Sequence, residues 1–361
     1  MSDANELISF IASMSGEGNL RVEENLGEGY VRLRVSEAER RQAKHDIQHV
    51  EDIVIEMLRN ARDAGADKVY LATTKEEGVR TLLFLDNGSG VPQDMQERIF
   101  DARVTSKLES MKMDRWGVHG RGMALFSIKQ NTDEARVVTS GVDLGSAFKV
   151  CVATDRLGER ADQSSWPQAV NDEDGHYVCA RGPHNIIRAA CEFALEELRC
   201  CDVYLGSPSE IAATLYAQAS SRLDTSRLLF IDDEYELPVI DRLGLASDAE
   251  DFIRICSGLG LEMSERTAHR ILSGQIKPVR GVTARLLRER DSTSHAPAPV
   301  DLAKDRRGLR IAKDDMAQFS RAVERDFNDL AARYYLNLCG DPKIRVSRDR
   351  ITVTFDLAKE E

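Results

Sequence analysis

In the segment IEMLRNARDAGA, residues 55–66, Glu56 and Asn60 stand four positions apart, with Asp63 one helical turn further on. On a helix that spacing stacks the three side chains along one face. A carboxylate so placed can position and deprotonate a water, and an amide oxygen can ligate Mg²⁺, a hard cation that prefers oxygen donors. The same spacing also suits a solvated helix face. Further on, LDNGSGVP, residues 85–92, follows an apolar run directly, so Asp86 projects from a strand end into a glycine-rich turn. Its carboxylate can accept a hydrogen bond from the exocyclic amine of adenine, while Gly88 and Gly90 let the backbone approach a flat base. Taken by itself, Asp-Asn-Gly is a common turn. IFDARVTSK, residues 99–107, leads to GVHGRGMALFSI, residues 117–128, where Gly117, Gly120 and Gly122 precede a helix. Glycine-rich amides opening onto a helix N-terminus cradle phosphate oxygens, because unpaired N–H groups and the helix dipole favour negative charge. The Gly-x-x-x-x-Gly-Lys-Ser/Thr signature is absent, which argues against a Walker-type ATPase.

These residues need a scaffold. Residues 29–35 alternate as a short strand, and a helical stretch starts near Ser36. Within it Ile53, Val54, Met57, Leu58, Ala61 and Ala64 form an apolar stripe that ends at Gly65, a common helix stop. Strands are expected at 68–73 and 80–85, helix at 93–100, a loop at 105–116, helix at 122–130 and a hairpin of 135–140 with 146–153. The pattern predicts an α+β class protein whose first domain, residues 20–155, is an α/β sandwich with helices on one face. A polar connection at 155–182 leads to a second α/β unit at 183–240. There, Ser207 and Glu210 form a capping box that accounts for them structurally. A basic helical segment occupies 245–291, DSTSHAPAPV reads as a linker, and a helix from 314 to 338 with a terminal strand pair fills 301–361.

The order and spacing of the four motifs resemble the GHKL ATPases: gyrase-type topoisomerases, ninety-kilodalton heat-shock chaperones, histidine kinases and MutL proteins. The likeness is greatest to the MutL branch, with its Glu-x-x-x-Asn-x-x-Asp-Ala-Gly-Ala helix, Asp-Asn-Gly-x-Gly turn, Thr-Ser-Lys and glycine-rich lid exit. It implies a Bergerat-type domain binding ATP and Mg²⁺. By resemblance Glu56 is the general base, Asn60 the Mg²⁺ ligand and Asp86 the adenine-reading carboxylate. Asp63, Gly88 and Gly90 join the nucleotide site. Gly117, Gly120 and Gly122 are lid hinges, Lys107 approaches the phosphates and Thr139 supports the adenine through water. Arg121 stands where the MutL pattern usually has glutamate. Those relatives take a phosphate-binding lysine from a second domain; no counterpart is identified after Val150. The implied activity is ATP hydrolysis driving a conformational switch, with a homodimer and a protein client as candidate partners. Alternatives are a GHKL protein kinase and an ATP-responsive DNA-binding regulator. His45 and His49, before the Glu56 helix, read as exposed side chains because no dimerising hairpin precedes them.

Residues 257–278 resemble the helix-turn-helix of phage-repressor-like proteins, with Ala268, Ile271 and Leu272 inward and Arg266, Thr267, His269 and Arg270 outward. From Ser264 to Arg290 seven basic residues oppose two acidic ones, a local +5 in a chain of net charge −12. That concentrates phosphate affinity in one place, with Arg266, Thr267, Arg270 and Lys277 as candidate DNA contacts. A solvated hairpin or a protein-docking surface suits the same residues.

The acidic remainder repels nucleic acid. Hydrophobic residues at 42% and charged residues at 30% suit a globular chain. No apolar run approaches the roughly 18 residues that cross a bilayer, so no membrane association is expected. The first ten residues do not suit a secretory signal. Seven scattered cysteines without metal spacing suggest free thiols in a reducing compartment, hence a cytoplasmic protein.

Overall fold

The computed structural model describes residues 22–106, 112–114, 117–119, 122–160, 162–172, 175–198, 200–223, 233–287, 313–331, 336–340, 342–346 and 351–359. The chain divides into two compact units, residues 1–291 and 292–361.

A five-stranded sheet organises the first unit. Strands β3 (Lys68–Glu76), β4 (Val79–Asp86), β9 (Gly145–Ala153) and β8 (Glu134–Gly141) pair antiparallel in that spatial order. β12 (Asp202–Gly206) adds to β3 in parallel, Val203 opposite Val69. The stretch read as a second α/β unit thus donates its strand to the sheet of the first. Smaller ladders surround the large sheet: β1 (Val22–Gly27), β2 (Tyr30–Leu33) and β5 (Val104–Thr105) form one. β6 (Lys112–Asp114) with β7 (Gly117–His119), and β10 (Gln168–Asn171) with β11 (Tyr177–Arg181), are hairpins. The last falls inside the stretch expected to be loop.

Both faces of the sheet are covered, where the sequence suggested one. Along β4, Leu82 and Phe84 belong to one buried core and Leu83 and Leu85 to the other. This is the period-2 alternation of a strand buried on both sides. On the first face lie α2 (Val50–Asp63) and α4 (Ile186–Glu196), whose Ile53, Leu58, Ala190 and Phe193 are fully buried. On the second lie α5 (Pro208–Arg222), α6 (Ala249–Gly258) and α7 (Glu265–Leu272), which contribute Ile211, Leu215, Phe252 and Ala268. After α7 the chain returns to the first face, where Val282 and Leu286 of a short helix at 282–287 join that core. The crossing runs along the edge strand β12: the Val279 N–H donates to Thr214 Oγ1 at 2.9 Å. A Cβ built on Gly281 would lie 3.6 Å from the Val203 carbonyl oxygen. The strap shields an edge that would otherwise invite another strand.

The helix predicted from Ser36 is two helices. α1 (Glu37–Asp46) begins at a Ser36–Glu39 capping box, and α2 begins after His49, whose N–H donates to the Asp52 carboxylate at 2.9 Å. Residues 93–100 form two single 3₁₀ turns instead of one helix. The Ser207–Glu210 capping box is present at the start of α5. α3 spans Ala124–Asn131.

In the second unit the terminal helix spans Lys313–Ala331, shorter than expected, because Leu336–Leu338 pairs as a strand with Leu357–Lys359. Lys343–Val346 and Ile351–Thr354 form the expected hairpin, and the Phe327 and Phe355 rings stack at 4.0 Å. The linker at 291–300 lies outside the described residues. Among described residues no helix is long and apolar enough to cross a membrane.

Candidate nucleotide site

The apolar stripe of α2 locks that helix onto the sheet, and its polar edge is left facing a cavity of about 620 Å³. Glu56, Asn60 and Asp63 line the cavity together with Asp86, Gly90 and Gly122, so three separate motifs converge on one space. The volume lies in the range of sites for ligands of nucleotide size.

α2 ends in a Schellman motif: Gly65 takes φ +77°, Ala66 N–H donates to the Ala61 carbonyl at 3.0 Å and Gly65 N–H to Arg62 at 2.9 Å. Ala64 O then accepts from Ser89 N–H at 2.8 Å, which ties the Asp86 turn to the helix end. Gly88 packs so closely there that a Cβ would lie 2.8 Å from the same oxygen. Asp86 is 4% exposed, and the Gly88 N–H donates to its Oδ1 at 2.8 Å. Strand parity aims it: Leu82, Phe84 and Asp86 share the first face. Asn87 braces the turn from behind by accepting from Lys68 N–H at 2.9 Å. At Gly90, φ is +70° and a Cβ would lie 1.8 Å from the Gly141 carbonyl oxygen, so no side chain fits.

Opposite Asp86 in the ladder stands Ser146, which also lines the cavity. The Ser140 hydroxyl accepts from Val91 N–H at 2.8 Å and donates to the Gly145 carbonyl at 2.9 Å, with Ser146 Oγ 3.1 Å away. Thr139, assigned by resemblance to support the adenine, does not line the cavity. A bulge between Val137 and Thr139 inserts one residue and flips strand parity, so Thr139 pairs with Ala147 on the second face. Its Oγ1 accepts from buried Arg242 Nη1 at 2.9 Å. Ser146 occupies the place beside Asp86 instead.

The other wall is the start of α3. Met123, its N-cap, makes no side-chain cap, and Met123, Ala124 and Ser127 line the cavity. A helix N-terminus of this kind favours an anion. Gly122, just before it, takes φ +67°, and its carbonyl accepts from Arg103 N–H at 2.8 Å. Gly117 pairs with Asp114 in the β6–β7 ladder, while Lys107, Gly120 and Arg121 lie outside the described residues.

Electrostatics hold α2 in register. Arg62 bonds Asp63 and, at 3.0 Å, Glu197 just beyond α4. Burial works against the Arg62 charge, but the two carboxylates outweigh it and hold the guanidinium above its ordinary value. Glu56 accepts from Arg59 Nη1 at 2.7 Å. Among described residues no group of three or more His, Cys, Asp or Glu could hold a metal. The oxygen donors of Asn60 and Asp63 still fit Mg²⁺, which binds through one or two protein ligands plus substrate phosphates.

Sequence reasoning missed Tyr30, Gln42, Asp46, Arg59 and Ser146, all of which line the cavity. Burial raises the Tyr30 hydroxyl above its usual range, against a hydrogen bond with Ser106. Ser146 carried no signal, because β4 and β9 pair across nearly sixty intervening residues and the predicted hairpin joins β9 to β8. Gln42 and Asp46 carried no signal beyond a charged helix. The candidate DNA contacts lie apart from this cavity: α7 packs on the second face, with Ala268 and Ile271 buried, Leu272 half-buried, and Arg266, His269, Arg270 and Lys277 exposed. Thr267 departs from the expected outward position, being half-buried with its hydroxyl 3.0 Å from that of Ser264.

Residues 47–148 match the family model described as histidine kinase-, DNA gyrase B- and HSP90-like ATPase. That match and the geometry above define a GHKL ATPase domain, whose general chemistry is ATP binding and hydrolysis. It is of the MutL-like branch. The DNA mismatch repair protein MutL of Brucella abortus (strain S19) is 34% identical over 112 residues, covering 31% of this chain and 18% of that protein. MutL of Thermodesulfovibrio yellowstonii is 32% identical over 100 residues, covering 27% and 18%. MutL of Pediococcus pentosaceus is 31% identical over 115 residues, covering 31% and 17%. The chain thus spans less than a fifth of the length of these relatives.

Proposed function

We propose that this chain binds Mg²⁺·ATP in the first-face cavity and hydrolyses it as a conformational switch. The observation that carries the reading is the convergence of Glu56, Asn60 and Asp86 on one cavity closed by the glycine-hinged start of α3. Asp86 accepts a hydrogen bond from the adenine amine, with Ser146 beside it. Gly88 and Gly90 bring the backbone against the base. The phosphates run toward the α3 N-terminus, where amides and the helix dipole offset their charge. Asn60, supported by Asp63, would hold Mg²⁺, which when bound would offset charge on the phosphate oxygens. Glu56 takes a proton from water as its oxygen attacks the γ-phosphorus and the bond to the β-phosphate oxygen breaks, giving ADP and phosphate. Lys107 approaches the phosphates, and the hinges Gly117, Gly120 and Gly122 let the lid close, coupling nucleotide state to shape, to homodimer formation and to a protein client.

Glu56→Ala is expected to lower the rate of phosphate release about 10²–10⁴-fold while ATP still binds. Normal hydrolysis by that variant overturns the mechanism. Following labelled γ-phosphate in the same assay separates hydrolysis from transfer to protein, the kinase alternative.

A second reading is favoured by the exposed Arg266, Arg270 and Lys277: DNA contact through residues 257–290, including Thr267 at the helix start. An Arg266→Ala/Arg270→Ala variant should lose salt-sensitive DNA binding with ATP hydrolysis unchanged. Unaltered DNA binding, or none in the parent, removes this reading.

A further inference from the structure

Four carboxylates line the cavity, those of Asp46, Glu56, Asp63 and Asp86, and among the described lining residues Arg59 is the single basic one. Its side chain is 3% exposed and bonds Glu56 at 2.7 Å, one helical turn away. A polyanionic nucleotide entering so acidic a space meets one cation among the described lining residues, and that cation is held by the residue assigned to activate water. Arginine presents a planar fork that matches phosphate oxygens as well as carboxylate. Asn60, the proposed metal ligand, is its chain neighbour. A terminal phosphate reached by both the Asn60 metal and the Glu56 water therefore comes within the reach of Arg59.

Resting on the ATP reading, we propose that Arg59 recognises the terminal phosphate and gates the base. Without a third phosphate the guanidinium holds the Glu56 carboxylate. With one, its hydrogen bonds pass to the phosphate oxygens and Glu56 turns to the attacking water. Triphosphate recognition and activation of the base become one exchange of partners, with no bond made or broken beyond the hydrolysis itself. The arginine comes from the same helix as the base, so this phosphate contact needs no second domain.

The test is titration calorimetry of the full chain in Mg²⁺, with ADP and with a non-hydrolysable ATP analogue. Wild type should favour the analogue. Arg59→Met, which keeps a long buried side chain, should weaken the analogue about tenfold or more and ADP by less than about twofold. Glu56→Gln, which weakens the hold on Arg59, should shift the preference further toward the analogue. An unchanged analogue-to-ADP ratio in Arg59→Met overturns the inference and leaves the ATP reading standing. If that variant fails to fold, shown by lost ADP binding and lost circular dichroism, Glu56→Gln decides: a raised ratio supports the inference and an unchanged one overturns it. A wild type that binds neither nucleotide overturns the ATP reading and this inference with it.

Discussion

Phe84, Asp86, Ser146 and Phe148 look onto the cavity, whereas their chain neighbours Leu83, Leu85 and Ala147 are buried against the helices of the second face. The same two strands therefore serve binding with alternate residues and stability with those between. Polar groups occur on both faces, but to different ends. Around the cavity the carboxylates of Glu56 and Asp86 border open space, each already holding a protein donor, Arg59 and the Gly88 N–H. On the second face Arg242 is 3% exposed and its polar atoms are spent internally, on Thr139 and on the Leu237 carbonyl at 3.2 Å. Likewise Tyr70 donates to Gln218 at 2.6 Å. A polar group enclosed by the protein stiffens a core, and one that also borders a cavity can exchange a protein partner for a ligand.

Substitutions can break that division. Phe252→Ala, deep in the second-face core, should cost about 3–5 kcal/mol of stability and leave nucleotide affinity unchanged. Thermal unfolding and calorimetry on the same variant read both quantities, and a lowered affinity would mean that the faces are coupled. A smaller pair sharpens the contrast. Thr139→Val deprives buried Arg242 of an acceptor and should cost about 1–3 kcal/mol with affinity unaltered, whereas Ser146→Ala should weaken ATP by about fivefold with little change in melting. The reverse pattern would restore Thr139 to the nucleotide site.

The helix and turn that line the cavity were more legible than the long-range strand pairing around them. Glu56, Asn60 and Asp63 declare themselves by helical spacing beside an apolar stripe, and Asp86 by its place at a strand end before glycines, because local geometry fixes both. Thr139 misled because one inserted residue reverses strand parity, and no composition marks a bulge. β12 could not be assigned to the first sheet from sequence, since parallel pairing across more than a hundred intervening residues depends on the core and not on local turns. α7 turns Ala268 and Ile271 inward and its arginines outward, as its own spacing predicts, whereas the helices it packs on, α5 and α6, are set by the core of the second face and not by local pattern. Arg59 escaped notice because its type suggests a surface residue, and only packing shows it 3% exposed.

The most direct test is titration of a non-hydrolysable ATP analogue in Mg²⁺ into the wild type and Asp86→Asn. The expected result is saturable one-site binding that weakens about tenfold or more when the buried carboxylate becomes an amide. Equal binding by the two proteins, or none by the wild type, would contradict the assignment of this cavity to adenine nucleotide.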